Sequence, residues 1–420
     1  MKRAIPRFQP NIPFGELVKS LGRAIFCPNK RGEITAQFEN RFAQRIGSRA
    51  AIAISSVRFG IYHTLRFLNF PNNSEILCTP LTIYPIIETV ILAGLKPVFV
   101  DIKPGNFSLD VDDAKRKLTN STRAILVTHL WGIPGDMAEI SRFAEQNGLM
   151  LLEDASHCLN GQVGGKKVGT FGKAGFFSFI TTKTINTYHG AMMVTDDEKL
   201  KRAIREEIKS LLPVSRTRLL KFISAEFLLF LLSRRLIFSW FVGPLTRFLK
   251  KFGFKDRLEH RSLSPSKRLK IFPDSLQTAF TDIQAKTGLR MLEFVEQLDS
   301  RRREIARRYI EAFNNIPQLE LPRPGPNGQG NYWMFAVCTQ SPEKLKDYLW
   351  ERDRIDSASP SIDPCHEMAY FEGLCAELRQ ASRLSEGALY LPAYPSLRDE
   401  EVLRVVKAVQ EYFQDRKAKK

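Results

Sequence analysis

The sequence is poor in cysteine, lacks a long uncharged apolar run and has fewer acidic than basic residues. Its cysteines are scattered without a C-x-x-C pair, at Cys27, Cys78, Cys158, Cys338, Cys365 and Cys375. This spacing argues against a disulfide-stapled fold or a structural zinc site and favours the reduced thiols of a cytoplasmic protein. No uncharged apolar run reaches the ~18 residues of a membrane span. The basic N-terminus lacks the apolar core of a secretory signal, so we expect no export.

The shortage of acids leaves a formal net charge of +18, from 63 Lys and Arg against 45 Asp and Glu. Such an excess suits three kinds of partner: nucleic acid, an anionic membrane surface or a phosphorylated substrate. A chain of 420 residues with 43% hydrophobic residues can build the core of one large or two to three ordinary domains. Intrinsic disorder is therefore excluded as a description of the whole chain.

Most of this charge lies in one stretch, which we call the basic apolar segment (residues 209–272). Between residues 209 and 270, fifteen Lys or Arg residues face three acids, and the same stretch contains FISAEFLLFLLSRRLIFSWFVGPLTRFLKKFGF. Its longest uncharged run, residues 236–246, is too short to span a bilayer but suits the membrane interface.

The basic apolar segment is typical of an interfacial helix pair whose basic side chains reach phosphate headgroups. We expect Arg234, Arg235, Lys250 and Lys251 to make these contacts. An oligomer interface or a lid over an active site remains open, because charged rims surround apolar patches of either kind. A nucleic-acid groove does not require so many aliphatic side chains, so we expect no nucleic-acid partner.

Short apolar runs alternate with amphipathic patterns in the first half of the chain. The runs predict buried strands over residues 51–54, 75–78, 97–100, 123–127 and 149–152, and the patterns predict helices over 57–68, 83–93 and 137–147. This alternation predicts a mostly parallel sheet wrapped by helices. We further expect one long helix over 277–313 and a final helix over 399–413. The predicted parts are a large domain (1–208), the basic apolar segment (209–272) and a smaller C-terminal domain with its connecting helix (273–420).

Polar residues at the carboxyl ends of the predicted strands mark the candidate site, because ligands of parallel sheets bind there. Ser56, Val57 and Arg58 follow the first strand and open a helix, which favours a phosphate site, although many such turns carry serine. Asp154 follows the strand at 149–152 and is either a helix cap or a catalytic acid.

A third strand end lies in GFFSFITTKTINTYHGAMMVT, residues 175–195. Here Lys183 follows an apolar run with Ser178, Thr181 and Thr182 close by. A lone lysine in a loop is usually solvated, and its polar neighbours are what distinguish this one.

Four histidines elsewhere in the chain, His63, His129, His260 and His366, show no metal-ligand spacing, so we expect no metal.

Taken in this order, the segments resemble the DegT/DnrJ/StrS family of pyridoxal-phosphate (PLP) enzymes, sugar aminotransferases with the aspartate-aminotransferase fold. The strings that carry the resemblance are FENRFAQRIG, LAGLKPVFVDIKPGNFSLD, VTHLWGIPGDM, LLEDASHCLNG, KKVGTFGKAGFFSF and the lysine segment. The resemblance implies fold type I: an α/β chain with a mostly parallel sheet in a large domain and a smaller C-terminal α/β domain.

The same resemblance assigns roles to individual residues. Lys183 matches the lysine that binds PLP covalently and later transfers a proton. Asp154 matches the carboxylate that keeps the ring nitrogen of PLP protonated. His157 falls beside the 3-oxygen of the cofactor, and Ser178 matches a serine that binds its phosphate.

Several positions depart from the family pattern. Ser-Ser-Gly-Thr is replaced by Ser-Ser-Val-Arg, so the charged guanidinium group of Arg58 takes the place of a threonine hydroxyl. The aromatic residue that stacks on PLP falls at Ile83 in an ungapped alignment, and we favour the adjacent Tyr84. The asparagine that reaches the partner subunit's phosphate is replaced near Gln277. Glu-Gly-Gly after the lysine is replaced by His189-Gly190-Ala191, and these changes put an ordinary nucleotide-sugar acceptor in doubt.

The sequence therefore predicts a homodimeric, cytoplasmic PLP aminotransferase held peripherally at the inner membrane face by an inserted basic apolar segment. By family analogy it takes an amino group from L-glutamate and passes it to a keto or aldehyde acceptor that is lipid-linked or membrane-borne. Two alternatives stay open: a nucleotide-sugar aminotransferase of envelope polysaccharide synthesis, and a non-catalytic PLP-binding protein. Related dehydratases carry histidine at the position of Lys183. The lysine in this chain therefore argues against a dehydratase reaction.

Overall fold

The computed structural model of the chain describes residues 2–252, 268–360, 362–374 and 377–417. Residues 253–267 of the basic apolar segment and Cys375 lie outside the described residues. The side chains of Lys250 and Lys251, for which headgroup contacts were predicted, lie outside them as well.

Helices and strands alternate along most of the described chain. The helices are α1 (Phe14–Phe26), α2 (Glu33–Ile46), α3 (Val57–Leu68), α4 (Tyr84–Leu92), α5 (Val111–Lys117), α6 (Met137–Gln146), α7 (Glu198–Lys209), α8 (Arg216–Leu232), α9 (Arg235–Ile237), α10 (Gly243–Lys251), α11 (Asp282–Leu292), α12 (Val295–Phe313), α13 (Pro342–Asp353), α14 (Arg379–Gly387) and α15 (Asp399–Lys417). The strands are β1 (Ala50–Ile54), β2 (Glu75–Cys78), β3 (Leu81–Thr82), β4 (Lys96–Phe99), β5 (Thr122–Thr128), β6 (Met150–Asp154), β7 (Gln162–Val163), β8 (Lys166–Lys167), β9 (Ala174–Ser178), β10 (Ala191–Thr195), β11 (Gly328–Gln329), β12 (Phe335–Cys338), β13 (Asp363–Pro364) and β14 (Ala388–Leu391).

A seven-stranded sheet in the order β1-β10-β9-β6-β5-β2-β4 forms the centre of the fold. Only β10 runs against the other six strands. Residues of β1, β2 and β10 are all buried, as expected for strands covered by helices on both faces. The predicted α/β class with a mostly parallel sheet is confirmed. Because the parallel strands end at one edge, Ile54, Asp154 and Ser178 lie at the same side of the sheet.

Separate apolar clusters pack on the sheet and in the C-terminal part. One cluster lies between the sheet and α3, α4 and α7, and another joins the opposite face to α1, α2, α8 and α11. The C-terminal cluster packs α12, α13 and α15 around the antiparallel pair β12 and β14.

The single long helix predicted over 277–313 is wrong. A short 3₁₀ turn, Asp274–Leu276, is followed by α11 and then α12, with a break at Glu293 and Phe294. Thr281 and Gln284 form a capping box that begins α11. At the break, the amides of Glu293 and Phe294 bond back only three residues, which tightens the helix end. Residues on both sides of the break still pack in the sheet core, and the C-terminal core is joined only later in α12.

The basic apolar segment forms two helical arms that pack on different parts of the body. Helix α8 lies on α1, with Phe14 between Phe227 and Phe230 at 5.6 Å from each ring centre. The second arm, α9 to α10 through a π-helical turn, packs on Trp350 of α13, where a Cβ at Gly243 would overlap the indole ring.

Arg235 does not reach outward as predicted. Its guanidinium binds both carboxylate oxygens of Glu401 at 2.7 Å, and it also donates to the carbonyl oxygen of Ser396. In the described part of the chain, no single helix is long and apolar enough to cross a membrane. One bent pair of the described helices is long and apolar enough when its two members are counted together. The pair consists of Arg216–Leu232 and Arg235–Leu249, with a bend of 67° between them.

Candidate active site

A cavity of about 280 Å³ opens at the edge of the sheet where the parallel strands end. The turns after β1, β6 and β9 supply most of its walls, and the C-terminal part closes one side. Its lining residues are Ser56, Val57, Arg58, Thr82, Ile83, Ile86, Thr128, Asp154, Ser156, His157, Ser178, Ile180, Thr182, Lys183, His189, Gly190, Leu276, Trp333, Ile362 and Tyr390. The cavity therefore brings together most of the residues that the sequence singled out.

Lys183 lies in a turn between β9 and β10, which we call the lysine turn (residues 179–190). The turn is closed by bonds from the Lys183 amide to the carbonyl of Ile180 and from the Thr187 amide to that of Phe179. Thr182 adopts a φ of 80°, a left-handed conformation that is costly for a β-branched residue. The indole N–H of Trp333 donates to the Thr182 carbonyl oxygen at 2.7 Å. Contacts from outside the turn thus fix the backbone that carries the lysine.

The amine of Lys183 is buried and desolvated. Its side chain is only 7% exposed, and Nζ lies 3.7 Å from the ring centre of Trp333. Burial lowers the pKa of Lys183 to about 7, and the charge of Asp154 opposes this effect only in part. A substantial fraction of the amine is therefore unprotonated near neutral pH, which is the form that attacks a carbonyl.

Asp154 ends β6 and is 5% exposed. Oδ1 accepts the amide hydrogen of Ser156 at 3.0 Å. Burial raises the pKa of Asp154 despite this bond and the nearby Lys183. No helix begins after Asp154, because turns lead from β6 directly to β7. The alternative in which this carboxylate caps a helix is therefore wrong.

A second group of polar lining residues, from the turns after β1 and β9, could hold an anion. The Ser56 hydroxyl caps α3 by accepting the amide of Phe59 at 3.1 Å, and Val57 and Arg58 follow as its first two residues. The first amides of a helix have no partner within it and carry partial positive charge. Burial lowers the pKa of Arg58 despite nearby Glu88, so its guanidinium gains from a bound anion. Ser178 adds a hydroxyl from the end of β9.

His157 presents a neutral ring to the cavity. Its ring stacks on Trp333 at 4.2 Å, and burial together with the charge of Lys183 lowers its pKa well below the ordinary value. Nδ1 accepts the amide of Trp131 at 3.4 Å, so the ring proton is assigned to Nε2. The imidazole is thus set up as a hydrogen-bond donor.

Two predicted site residues do not line the cavity. Tyr84 turns its ring against Tyr370, with the centres 5.4 Å apart, and its neighbour Ile83 lines the wall instead. The preference for Tyr84 over Ile83 is therefore not supported by the lining. Gln277 is exposed, and its amide donates to Asp274 at 3.1 Å.

The main residues that sequence reasoning missed are Trp333 and Tyr390, which reach the cavity from the C-terminal part. Trp333 lies in the string NYWMFAVCT of the predicted smaller domain, and the sequence predicts no role in the site for this string. An aromatic residue just before a strand gave the only signal, and sequence alone does not show that this strand folds back against Lys183.

The residues present fit PLP, a group with a phosphate, a ring nitrogen and a reactive carbonyl. Arg58 and the start of α3 suit the phosphate, Asp154 suits a protonated ring nitrogen, and Lys183 supplies the amine. Among the described residues, no group of three or more His, Cys, Asp or Glu side chains could hold a metal ion.

Comparison with known proteins gives consistent matches over nearly the whole chain. The DegT/DnrJ/EryC1/StrS aminotransferase family matches residues 27–410. GDP-perosamine synthase of Escherichia coli O157:H7 is 26% identical over 391 residues, which cover 92% of each chain. The spore coat polysaccharide biosynthesis protein SpsC of Bacillus subtilis is 28% identical over 391 residues, covering 91% of this chain and 90% of SpsC.

Solved structures show the same fold. Helicobacter pylori PseC, an aminotransferase involved in the biosynthesis of pseudoaminic acid, superposes with a TM-score of 0.75 at 20% identity. The match covers 99% of this chain and all of PseC. At this identity, the similarity supports the fold alone.

Proposed function

Because the chain belongs to the DegT/DnrJ/EryC1/StrS aminotransferase family, whose members are PLP-dependent sugar aminotransferases, we propose that it moves an amino group from L-glutamate to a nucleotide-linked keto sugar. The observation that carries the proposal is that the buried pair of Lys183 and Asp154 shares a cavity with a group of residues suited to an anion. We call this group, Ser56, Val57, Arg58 and Ser178, the anion cradle. Burial lowers the pKa of the Lys183 amine to about 7, which favours a reactive lysine over a purely structural one.

Seven residues that line the cavity have a part in this reaction. When bound, PLP supplies an electrophilic carbonyl carbon and a ring that withdraws electrons from the reacting carbon of the substrate. Lys183 would hold that carbonyl carbon through Nζ and, once displaced by the amino donor, would move a proton to and from the substrate carbon. Asp154 would keep the ring nitrogen protonated, and the Nε2–H group of His157 would donate a hydrogen bond to the ring oxygen. The phosphate would be held by Ser56, Val57, Arg58 and Ser178.

The nature of the acceptor follows from relatives rather than from the cavity alone. One relative is named for a nucleotide-linked amino sugar and another for polysaccharide biosynthesis. We test the proposal with ¹⁵N-labelled glutamate, PLP and the keto sugar that corresponds to GDP-perosamine, and measure ¹⁵N in the product by mass spectrometry. Incorporation supports a nucleotide-linked acceptor. Loss of the amino group from glutamate without transfer to any nucleotide-linked keto sugar would contradict it and favour the lipid-linked acceptor.

The anion cradle gives a prediction for PLP affinity. We expect Arg58→Gln to weaken PLP binding by about 10-fold to 100-fold, the effect of losing charge-assisted hydrogen bonds to a desolvated phosphate. Pyridoxal, which lacks the phosphate, should bind both proteins equally. Spectroscopic titration measures both affinities. Equal loss of PLP and pyridoxal binding would show that Arg58 does not contact the phosphate.

We also propose that the enzyme is a homodimer in which Gln277 reaches the site of the partner subunit. Gln277 is exposed and directly follows Leu276, which lines the cavity. Its exposed position beside the cavity leaves Gln277 accessible to a second copy of the chain.

A peripheral position at the cytoplasmic face of a membrane is part of the proposal and rests on exposed apolar side chains. Trp240 is 62% and Phe241 71% exposed on the second arm. Other exposed apolar residues on α1, α8 and this arm are Phe14, Val18, Ile25, Phe26, Leu228, Leu231, Leu232, Leu236, Leu245, Phe248, Leu249 and Phe252. We call these residues, with Trp240 and Phe241, the apolar surface. Such a surface is costly in water unless a partner covers it.

The charges around the apolar surface favour anionic lipid over a second copy of the chain. Residues 216–252 contain one acid, Glu226, and it is buried. Lys19, Lys221 and Arg234 are exposed nearby. A two-fold interface would bring like charges together without exposed acids from this stretch to pair them. Phosphate headgroups supply the missing negative charge.

Point substitutions test this surface without removing the buried parts of the segment. We expect Trp240→Ser with Phe241→Ser to reduce binding to vesicles of phosphatidylserine and phosphatidylcholine at least about tenfold, because two large apolar side chains no longer enter the interface. Leu212→Ser with Leu403→Ser, also exposed but outside the surface, is the matched control. Sedimentation measures binding, and high salt should weaken it only in part. Unchanged sedimentation of the Trp240 and Phe241 variant would contradict membrane docking.

A further inference from the structure

The inward face of α8 touches the lysine turn. Glu226 is 1% exposed, and its Oε2 accepts the hydroxyl hydrogen of Thr181 at 2.7 Å, two residues before Lys183. One turn earlier, the ring of Phe222 stacks on His189, which lines the cavity, at 4.9 Å between centres. The basic apolar segment therefore contributes directly to the surroundings of the lysine.

The lysine turn depends on such outside contacts because it belongs to no helix or strand. On the C-terminal side of Lys183, the hydroxyl of Thr184 accepts a hydrogen bond from Arg302 at 3.1 Å. Arg302 forms an ion pair with Asp299. Both partners of that pair are buried in α12. Lys183 thus lies between two threonines, each tied to a buried ionisable side chain of a different helix.

A purely structural role for α8 would not require a carboxyl group at position 226. An apolar residue packs a helix against a core at lower cost than a buried acid. Burial raises the pKa of Glu226, and the nearby Thr181 and Asn186 of the lysine turn oppose this effect. The side chain is placed where its Oε2 binds the turn.

We propose that Glu226 is a positioning residue for the active site: it holds the Thr181 hydroxyl and thereby fixes the lysine turn that aims Lys183 into the cavity. Helix α8 carries Phe222 and Glu226 on this face and the exposed Leu228, Leu231 and Leu232 on the opposite one. The same helix thus contributes to the apolar surface and supports the lysine. The inference rests on the proposed function only in taking Lys183 as the amine that binds PLP.

The test compares Glu226→Ala, Thr181→Val, their combination and Glu226→Gln, which keeps an oxygen acceptor for Thr181. Lys221→Ala, on the exposed face of the same helix, is the control. The first measurement is the pH profile of Lys183 acetylation in cofactor-free protein, read by peptide mapping. The second is the dissociation constant for PLP, and thermal melting checks that each variant is folded.

We expect the pKa of Lys183 to rise from about 7 toward the ordinary lysine value in Glu226→Ala and in Thr181→Val, because a loosened turn admits water. PLP binding should weaken about tenfold in both, the loss of one buried hydrogen bond. The combination should be no worse than either single change, and Glu226→Gln should stay near wild type.

Three results would each overturn the positioning role. The first is a wild-type acetylation profile in folded Glu226→Ala and Thr181→Val, and the second is an additive effect in the combined variant. The third is an equal loss in Glu226→Gln and Glu226→Ala. Should Glu226→Ala not fold, Thr181→Val alone decides through the same two measurements. The acetylation profile needs neither cofactor nor substrate, so a failure of the proposed reaction would not be mistaken for a failure of this inference.

Discussion

Lys183→Ala should reduce amino transfer by at least about 10⁴-fold and abolish the visible absorption of covalently bound PLP. One side chain supplies both the covalent link and the proton transfer, so no neighbour can replace it. The fold should remain, because alanine removes a desolvated amine and leaves the hydrogen bonds of the turn in place. Absorption spectra, single-turnover rates with glutamate and thermal melting check the three parts of this prediction.

The same substitution should change how stability depends on pH. The pKa of Lys183 is about 7 in the folded state and 10.5 as its ordinary value. Between these values the unfolded chain binds the proton and the folded chain does not, so stability of the cofactor-free protein rises with pH across this window. Below about pH 7 both states bind the proton and the dependence from this group ends. Lys183→Ala should lose this rise.

Lys221→Ala, an exposed lysine on α8, serves as the control for both measurements. It should keep the wild-type absorption, rate and pH dependence. Retained absorption and turnover in Lys183→Ala would show that another amine binds PLP.

Asp154→Asn should lower the rate of amino transfer by about 10²-fold to 10³-fold with less effect on PLP binding. An amide carries no charge to keep the ring nitrogen protonated, so the ring withdraws electrons less strongly when the reacting carbon loses its proton. In the cofactor-free protein the pKa of Lys183 should fall further below about 7, because the charge of Asp154 raises it. Single-turnover kinetics and the acetylation profile of Lys183 measure the two effects.

Asp112→Asn, at an exposed carboxylate of α5, is the matched control and should leave both quantities unchanged. Asp154→Glu keeps the charge and should retain more activity than Asp154→Asn. A wild-type rate in Asp154→Asn, or no difference between the asparagine and glutamate variants, would contradict the role of the carboxylate.

Sequence reasoning found the part of the site that follows from sheet geometry. Parallel strands end at one edge, so Arg58, Asp154 and Ser178 could be expected close together although they lie far apart in the chain. Lys183 was identified by its companions and by the family resemblance. The comparisons confirm the family and the fold, and the roles of these residues remain proposals.

The sequence could not show contacts between residues that are far apart in the chain. It also could not show which of two adjacent side chains enters the site. Trp333 reaches Lys183 from the bend just before β12, and Arg235 meets Glu401, 166 positions away. The choice between Ile83 and Tyr84 depends on which of two adjacent side chains turns inward at the start of α4. The helical periodicity of the sequence also continues across Glu293 and Phe294, where the structure has a break between α11 and α12.

The most direct test of the central claim is to find which amine binds the cofactor. The protein is incubated with PLP, reduced with borohydride, digested and mapped by mass spectrometry. We predict that the reduced cofactor is on the peptide carrying Lys183 and that prior treatment with glutamate removes it. Labelling of another lysine, or none at all, would contradict the account.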